Sequence, residues 1–522
     1  MRLRSSQNEE WCHRRGWTTM MHSAGREPER SSDLDTAEAS TQRPCEPAST
    51  SGSSSVAKVV FNYINAVVGS GILAIPYALH QAGLVTGLAL AAVVGILTDY
   101  TVRLLVRTGV QQGVRNYEEL MDKLYGTNGY VVISLLMFAY DFGAMLSYFI
   151  ILADVSSSVV YEICTSLLGM SGQGFLSDHW DLRRVCLLAI ALTLVLPLCL
   201  HRDISGLEKV SRWSVITTVL VILIVMGAAI AGDNCPDRDL APASCPDTEK
   251  PWLTLLGPNP SAAFGILAFA FVSHDTAFMF HNSLKDQSKW DRTTHLSLLF
   301  SVVICLTFAI PGYLAFRDKI EQNLLNNFAS DDYKIMFVRI LFMLTMSATY
   351  PICFFICRHI VNELAFRWER RAVARVPGTP AGVGIEHVSQ ARHYALTLTL
   401  FFASLTIACF VDKLGFVMSL TGNISAVSIA FILPPLCAIK GAQLEASECR
   451  RTTGALTEGL DAGLLDDGHA DEAGLPASRR TRSGPCAKCA AKLRSTYWTS
   501  GPVFVFGLFT LVFCTAQTIA AG

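Results

Sequence analysis

Long apolar segments alternate with shorter polar segments along most of this chain. A helix that crosses the hydrocarbon core of a bilayer needs about 20 mostly apolar residues. Eleven segments meet this requirement: 56–79, 84–106, 130–155, 183–200, 210–231, 261–283, 294–316, 334–360, 393–411, 414–439 and 499–520. The strict apolar–polar alternation expected of transmembrane barrel strands is absent from the sequence. The pattern therefore predicts an all-α polytopic membrane protein with eleven transmembrane helices.

The composition supports this interpretation and excludes several classes of protein. Of 522 residues, 51% are apolar and only 16% are charged, whereas an average soluble domain has roughly 25% charged residues. The net charge is −1 and the sequence has no basic domain, so we expect no nucleic acid as a partner. The sequence also has no HExxH, GxSxG or P-loop motif. We therefore expect neither an enzyme nor a resident cofactor.

The distribution of Lys and Arg predicts the orientation of the chain. Cytoplasmic loops of polytopic proteins carry an excess of these two residues. If the N-terminus is cytoplasmic, the loops on that side hold most of the Lys and Arg, and Arg183 and Arg184 are the main exceptions. An odd number of helices then places the C-terminus outside the cell or in a lumen. The sequence leaves open whether the membrane is the plasma membrane or an endolysosomal membrane.

Two polar segments divide the chain into four parts. Residues 1–55 are rich in Ser, Thr, Glu and Arg and lack the apolar run of a signal peptide, so we predict a disordered cytoplasmic tail. Residues 56–440 would then form a core of ten transmembrane helices. Residues 441–497 are predicted to be a polar cytoplasmic loop, and residues 498–522 contain the eleventh helix.

The first apolar segment contains a helix-weakening triplet near its middle. Gly69, Ser70 and Gly71 are followed by Pro76, and this combination favours an unwound stretch at membrane depth. In transporters, such a break turns N–H groups toward a substrate carboxylate and frees carbonyl groups to coordinate a cation. The alternative is that the small residues only allow close packing against another helix.

The sixth apolar segment has a second irregularity, at Ser273, His274 and Asp275. Ionisable residues at the centre of a bilayer cost at least about 2.5–3.5 kcal/mol, so they often mark functional sites. His274 could instead be a core histidine that is satisfied by one hydrogen bond. Because the irregular segments are the first and the sixth of ten, they have the positions expected of inverted five-helix repeats.

The third apolar segment contains Asp141 near its middle. Burial disfavours a charged carboxylate, so Asp141 is a candidate for accepting a proton during transport. It could equally form a structural hydrogen bond with His274 or with a freed backbone amide. Asp99, in the second segment, lies four residues before Arg103 and is predicted to pair with it near the membrane surface.

A series of motifs resembles the sodium-coupled neutral amino-acid transporters of the amino acid/auxin permease superfamily. The motifs are Phe61-Asn62-Tyr63-Ile64-Asn65-Ala66-Val67-Val68-Gly69-Ser70-Gly71-Ile72-Leu73, Phe269-Ala270-Phe271-Val272-Ser273-His274, Leu284-Lys285-Asp286, Gly312-Tyr313-Leu314-Ala315-Phe316, Thr349-Tyr350-Pro351 and Phe431-Ile432-Leu433-Pro434. The resemblance covers residues 56–440 and the last helix, and it is greater to the poorly characterised members than to the glutamine carriers. It implies a LeuT-like fold, in which helices 1–5 and 6–10 are inverted repeats and an eleventh helix is added. It also implies sodium-coupled symport of neutral amino acids by alternating access.

The resemblance implies a place for each ligand. The substrate carboxylate would lie at Val68, Gly69, Ser70 and Gly71, and its ammonium group would meet the carbonyls around Phe271 and the hydroxyl of Ser273. Sodium would lie between helices 1 and 8, at Asn65, Ser347 and Thr349 and at the backbone carbonyls near Ile64 and Val67. The alternative for Ser347 and Thr349 is that their hydroxyls bond only to their own helix.

Two departures from the family pattern concern the substrate. Ser273 stands where the family has Cys, and Asp275 stands where it has Pro. The added acid favours a cationic or proton-linked substrate more than the family pattern does. Two alternatives therefore stay open: a proton-coupled amino-acid transporter, and an amino-acid sensor whose N-terminal tail binds a cytosolic partner.

Cys235 and Cys245 lie in the predicted outside loop 232–258. A disulfide between them is compatible with the oxidising side of a membrane. The family often has such a bridge, although its two cysteines are usually farther apart in sequence.

Overall fold

The computed structural model describes residues 52–167, 179–200, 207–231, 251–329, 332–374, 390–463 and 484–521. These residues are almost entirely helical. The α-helices are α1 (Val56–Val67), α2 (Ile75–Ala82), α3 (Leu84–Gln111), α4 (Tyr117–Glu162), α5 (His179–Ile190), α6 (Leu196–Leu200), α7 (Leu207–Ala231), α8 (Pro260–Phe271), α9 (His274–Ser283), α10 (Trp290–Phe316), α11 (Tyr333–Ala374), α12 (Gln390–Phe410), α13 (Leu414–Thr421), α14 (Leu433–Gly463) and α15 (Gly484–Ala521). Short 3₁₀ and π turns connect several of them.

The lengths and apolar character of these helices confirm a multi-pass membrane protein. Within the described residues, 9 helical spans are long and apolar enough to cross a bilayer, and α1 and α2 together form a tenth that is bent by 50°. At the predicted fifth span, α7 runs over Leu207–Ala231, and its apolar part includes Ile216–Ile230. The all-α polytopic fold is confirmed, but the count of eleven helices is not.

The outer surface of the helical core is apolar, and its mainly apolar interior also contains buried polar residues. Ile96, Leu223 and Phe410 are 69%, 60% and 71% exposed, whereas Thr101 and Ser147 are fully buried. A soluble protein rarely leaves so much contiguous apolar surface uncovered. This distribution fits a protein whose solvent is lipid around its sides.

The predicted breaks in the first and sixth spans are both present. The first span consists of α1, two non-helical residues, a 3₁₀ turn at Ser70–Ala74, and α2. The sixth span consists of α8 and α9, which are separated by Val272 and Ser273. A Cβ atom added to Gly71 would lie 3.0 Å from the Cβ of Ala270, so the two spans touch at their breaks. A LeuT-like inverted repeat requires this placement of two broken helices.

Several helices extend well beyond the predicted spans. The helix α4 begins at Tyr117, where the Asn116 side chain accepts a hydrogen bond from the N–H of Glu119 at 2.7 Å. It is kinked at Gly126, whose φ of 66° lies in a region that glycine adopts without strain. The predicted polar loop at 441–497 is helical in its described parts, because α14 continues to Gly463 and α15 begins at Gly484.

A buried ion pair explains why Arg183 does not fit the distribution of positive charge. Its Nε lies 2.9 Å from Oδ1 of Asp154, and both side chains are about 90% buried. The other carboxylate oxygen of Asp154 accepts a hydrogen bond from Asn323 at 3.2 Å. Because the charge of Arg183 is paired within the helical core, it says little about which side of the membrane the loop occupies. The Asp99–Arg103 pair is confirmed, with a distance of 2.5 Å.

The start of α1 is tied to the end of α9 by backbone hydrogen bonds. The N–H of Ser54 donates to the carbonyl of Ser283 at 3.1 Å, and the N–H of Lys285 donates to the carbonyl of Ser54 at 3.0 Å. The two broken spans are therefore joined at one end as well as at their breaks. The predicted tail up to residue 51 and the predicted Cys235–Cys245 disulfide lie outside the described residues, so both stay predictions.

Candidate functional site

The break in the first span places free backbone donors at the start of a short helical turn. The N–H of Val68 still donates to the carbonyl of Ile64 at 2.8 Å, and the N–H of Gly69 donates to Val67 at 3.0 Å. Helical geometry resumes at Ser70, and the first N–H groups of a helical segment have no partner within it. The N–H groups of Ser70 and Gly71 therefore lie where an anion would be favoured.

The break in the sixth span frees carbonyl groups. The helix α8 ends at Phe271, and the next two residues leave helical geometry, with ψ of 137° at Val272 and 20° at Ser273. The last carbonyls of a helix have no N–H partner farther along the chain. One of them, that of Phe269, accepts a hydrogen bond from the Tyr140 hydroxyl at 3.1 Å. The end of α8 thus offers acceptors opposite the donors of the first break.

A buried hydrogen bond joins the two broken spans. The Tyr63 hydroxyl and Oγ of Ser273 are 2.7 Å apart, and the two residues are 0% and 2% exposed. The predicted substrate contact Ser273 is therefore already engaged with α1. This tyrosine was not a sequence-predicted site residue, although it lies two positions before Asn65 in the first motif.

The two glycines of the first break have different surroundings. A Cβ atom on Gly69 would lie 3.7 Å from the Tyr148 hydroxyl, which is an ordinary contact distance. A Cβ atom on Gly71 would lie only 3.0 Å from Ala270. Close helix packing, the alternative considered from the sequence, therefore applies to Gly71. At Gly69, by contrast, the nearest group is the Tyr148 hydroxyl, and the packing leaves room for a Cβ atom.

The oxygen atoms proposed for sodium are present on α1 and α11. The hydroxyls of Ser347 and Thr349 donate to the carbonyls one turn earlier, at Met343 and Thr345, each at 2.8 Å. These bonds are the ones that the alternative interpretation expects, but a hydroxyl that donates still has lone pairs for a cation. Pro351 lies within α11 and lacks an N–H, so the carbonyl of residue 347 loses its helical partner. The structure leaves the sodium role of these groups untested.

Asp141 and His274 do not form the hydrogen bond that the sequence left open. His274 is fully buried, and its Nε2 lies 2.9 Å from Oγ1 of Thr101 rather than beside Asp141. Among the described residues, Nδ1 of His274 and Oδ2 of Asp141 have no hydrogen-bond partner. Asp141 is 2% exposed and interacts electrostatically with Asp275. Asp141 and the half-buried Asp275 are thus two acids in the same part of the core.

Asp275 lies in the first turn of α9. The positive end of the helix dipole stabilises a negative charge at that position. This placement gives a physical reason for an acid where the family pattern has Pro. Its side chain lies close to the break, and it also interacts electrostatically with Tyr140.

Several residues of the site were missed by the sequence analysis. They are Tyr63, Thr101, Tyr140 and Tyr148. Each contacts a residue of another span, and only Tyr63 lies within a motif that the sequence singled out.

Comparison with known proteins shows which proteins this chain resembles. Residues 52–455 match the model of the family described as "Transmembrane amino acid transporter protein". A mouse (Mus musculus) relative named "Putative sodium-coupled neutral amino acid transporter 11" is 34% identical over 74% of this chain and 78% of its own. "Vacuolar amino acid transporter 2" of Saccharomyces cerevisiae is 28% identical over 73% of this chain and 75% of its own. A crystal structure of MhsT in complex with L-phenylalanine is similar over 88% of this chain and 99% of that chain, with 11% identity and a TM-score of 0.49.

The family match covers most of the chain, and it includes both broken spans. The relatives are named as transporters, in agreement with the prediction of a transporter rather than an enzyme. This chain belongs to the transmembrane amino acid transporter protein family.

Proposed function

We propose that the protein is a secondary active transporter that couples the movement of a neutral amino acid to sodium by alternating access. The observation that carries the proposal is the pair of broken helices, which pack together at Gly71 and Ala270 and are joined by the Tyr63–Ser273 bond. An amino acid has an anionic and a cationic end, and the two breaks match these ends. The name of the mouse relative supports the choice of sodium.

The substrate would lie across the two breaks. Its carboxylate would lie along residues 68–71 and accept hydrogen bonds from the N–H groups of Ser70 and Gly71, at the positive end of a helical turn. Its ammonium group would donate to the carbonyl of Phe271 and to the hydroxyl of Ser273. The carbonyl of Phe269 already accepts one hydrogen bond from Tyr140, so one lone pair would remain there for the substrate.

Sodium would bind beside the substrate, with oxygen ligands from α1 and α11. Asn65 and the carbonyls of Ile64 and Val67 would supply one side. The hydroxyls of Ser347 and Thr349 would supply the other side. Sodium binding would then hold the unwound part of α1 in the geometry that binds the substrate, and this would couple the two ligands.

The sodium dependence of Asn65→Ala and Thr349→Ala tests the coupling. The loss of one oxygen ligand should raise the sodium concentration for half-maximal uptake by about tenfold, which is equivalent to about 1.4 kcal/mol. Thr307→Ala is a matched control, because the Thr307 hydroxyl also donates to its own helix and the residue is exposed on α10. If both site variants keep the sodium dependence of the unmodified protein, the sodium site is not at these residues.

A second candidate, proton coupling, is favoured by Asp141. One of its carboxylate oxygens is buried and has no partner among the described residues, and the nearby Asp275 is also acidic. Two carboxylates in such surroundings disfavour a second negative charge, so a shared proton would stabilise them. Uptake by Asp141→Asn, measured with a proton gradient and no sodium, separates the two candidates. Proton-driven uptake that is lost in this variant would favour proton coupling.

The placement of the protein in the cell is also part of the proposal. We propose a cytoplasmic N-terminus, in agreement with the distribution of Lys and Arg, and a plasma or endolysosomal membrane. The name of the yeast relative supports an endolysosomal membrane. Cys235 and Cys245 would form a disulfide on the opposite side of the membrane.

A further inference from the structure

Beyond the membrane core, α14 and α15 continue as a pair of packed antiparallel helices. The Lys492 ammonium lies 2.5 Å from the Glu445 carboxylate, and the Gln443 side chain donates to the Tyr497 hydroxyl at 2.5 Å. As the residue number rises along α14, the number of the paired residue on α15 falls, so the two helices are antiparallel. This pair lies on the predicted cytoplasmic side and takes no part in the site described above.

A groove of about 280 Å³ lies between these two helices. Arg450 of α14 and Arg494 of α15 line it, together with the apolar side chains of Ala446, Leu493 and Ala490. Both arginines are exposed, and within the part of the chain that the structure describes neither has an ion-pair partner. The groove therefore combines two available guanidinium groups with an apolar wall.

Aromatic residues place one end of this groove at the membrane surface. Tyr497, which lines the groove, is 44% exposed, and its neighbour Trp498 is 73% exposed. Exposed Tyr and Trp next to the start of an apolar helix are typical of the headgroup level of a bilayer. Arg494 lies one helical turn before Tyr497, only about 4.5 Å farther along the axis. It is therefore within reach of lipid headgroups.

We propose that this groove binds the headgroup of an anionic phospholipid from the adjacent leaflet. A guanidinium group donates two parallel hydrogen bonds to a phosphate, and two such groups suit one anionic headgroup. The apolar wall would accommodate the glycerol and the first part of an acyl chain, which a soluble phosphate does not have. Basic residues just beyond a transmembrane helix bind anionic lipids through the same electrostatic attraction.

The test measures lipid binding by the purified full-length protein in neutral detergent. Native mass spectrometry would count bound phosphatidylserine, with phosphatidylcholine as the uncharged comparison and glycerophosphoserine as the headgroup without chains. We expect phosphatidylserine to bind more tightly than either comparison. Arg450→Gln or Arg494→Gln should weaken its binding about 5-fold and the double variant about 30-fold, given the usual contribution of one basic residue at an anionic surface.

The matched control is the double variant Arg370→Gln and Arg451→Gln. It removes the same charge from exposed positions outside the groove, so its phosphatidylserine affinity should stay within about twofold of the unmodified protein, since single contacts at a surface are worth little. An equal loss of binding in the control would mean that the attraction is diffuse, and this result would overturn the proposal. Unchanged binding in the groove variant, or equally tight binding of glycerophosphoserine, would also overturn it.

Discussion

The hydrogen bond between Tyr63 and Ser273 can be tested by a double-mutant cycle. The two side chains are 2.7 Å apart, fully or almost fully buried, and belong to the two broken spans. Tyr63→Phe removes the tyrosine hydroxyl and leaves the Ser273 hydroxyl without this partner. Ser273→Ala removes the serine hydroxyl and leaves the Tyr63 hydroxyl without this partner. The double variant removes both groups, so no hydroxyl of this pair remains unsatisfied.

The expected free energies follow from burial. A buried hydroxyl without a partner costs about 1–3 kcal/mol, whereas removal of both partners can be nearly neutral. Each single variant should therefore be destabilised by about 1–3 kcal/mol. The double variant should be destabilised by less than the sum of the two, with a coupling of about 1 kcal/mol. Because the bond joins the two broken spans that would hold the substrate, the same changes should raise the KM for the amino acid by about 5-fold.

The assays are thermal unfolding of the purified protein and the concentration dependence of uptake. Tyr350 and Ser404 provide a matched control pair, because their hydroxyl oxygens are 2.8 Å apart and both residues are fully buried, but they join α11 and α12. The control cycle should show a similar coupling in stability without the change in KM. Strictly additive effects at Tyr63 and Ser273, or an equal KM change in the control pair, would refute the reasoning.

Three further predictions concern packing, the buried ion pair and the tail. Gly71→Ala should lower the unfolding free energy by about 1–3 kcal/mol through overpacking against Ala270. Adding Ala270→Gly should restore part of the thermal stability, and no restoration would mean that the crowding lies elsewhere. Asp154→Asn leaves the charge of Arg183 buried without its anion and should cost about 3 kcal/mol in unfolding free energy, so an unchanged midpoint of unfolding would contradict the pairing. Deletion of residues 1–50 keeps the backbone pairing at Ser54 and should leave uptake unchanged, whereas loss of uptake would assign the tail a role in transport.

The sequence was sufficient to predict the features that depend on local chemistry. The breaks next to the predicted triplets, at Gly69 and at Ser273, follow from residues that weaken a helix or that resist burial in lipid. The Asp99–Arg103 pair follows from a spacing of four residues on one helix. Each of these predictions requires only neighbours along the chain.

The features that the sequence did not reveal depend on contacts between distant positions. Tyr63 and Ser273 are 210 residues apart, and Tyr140 is 129 residues from the carbonyl that it binds. In a sequence, these two tyrosines look the same as tyrosines that only fill a hydrophobic core. Hydropathy also underestimated the length of α4, because its first turns are polar and are stabilised by the Asn116 cap rather than by lipid.

Uptake of labelled amino acids by the purified protein in liposomes tests the central claim most directly. Sodium and proton gradients would be imposed separately on the same preparation. The account predicts that at least one neutral amino acid accumulates when sodium is directed inward, and that replacement of sodium by choline abolishes this accumulation. Accumulation driven by a proton gradient alone, with no effect of sodium, would contradict it.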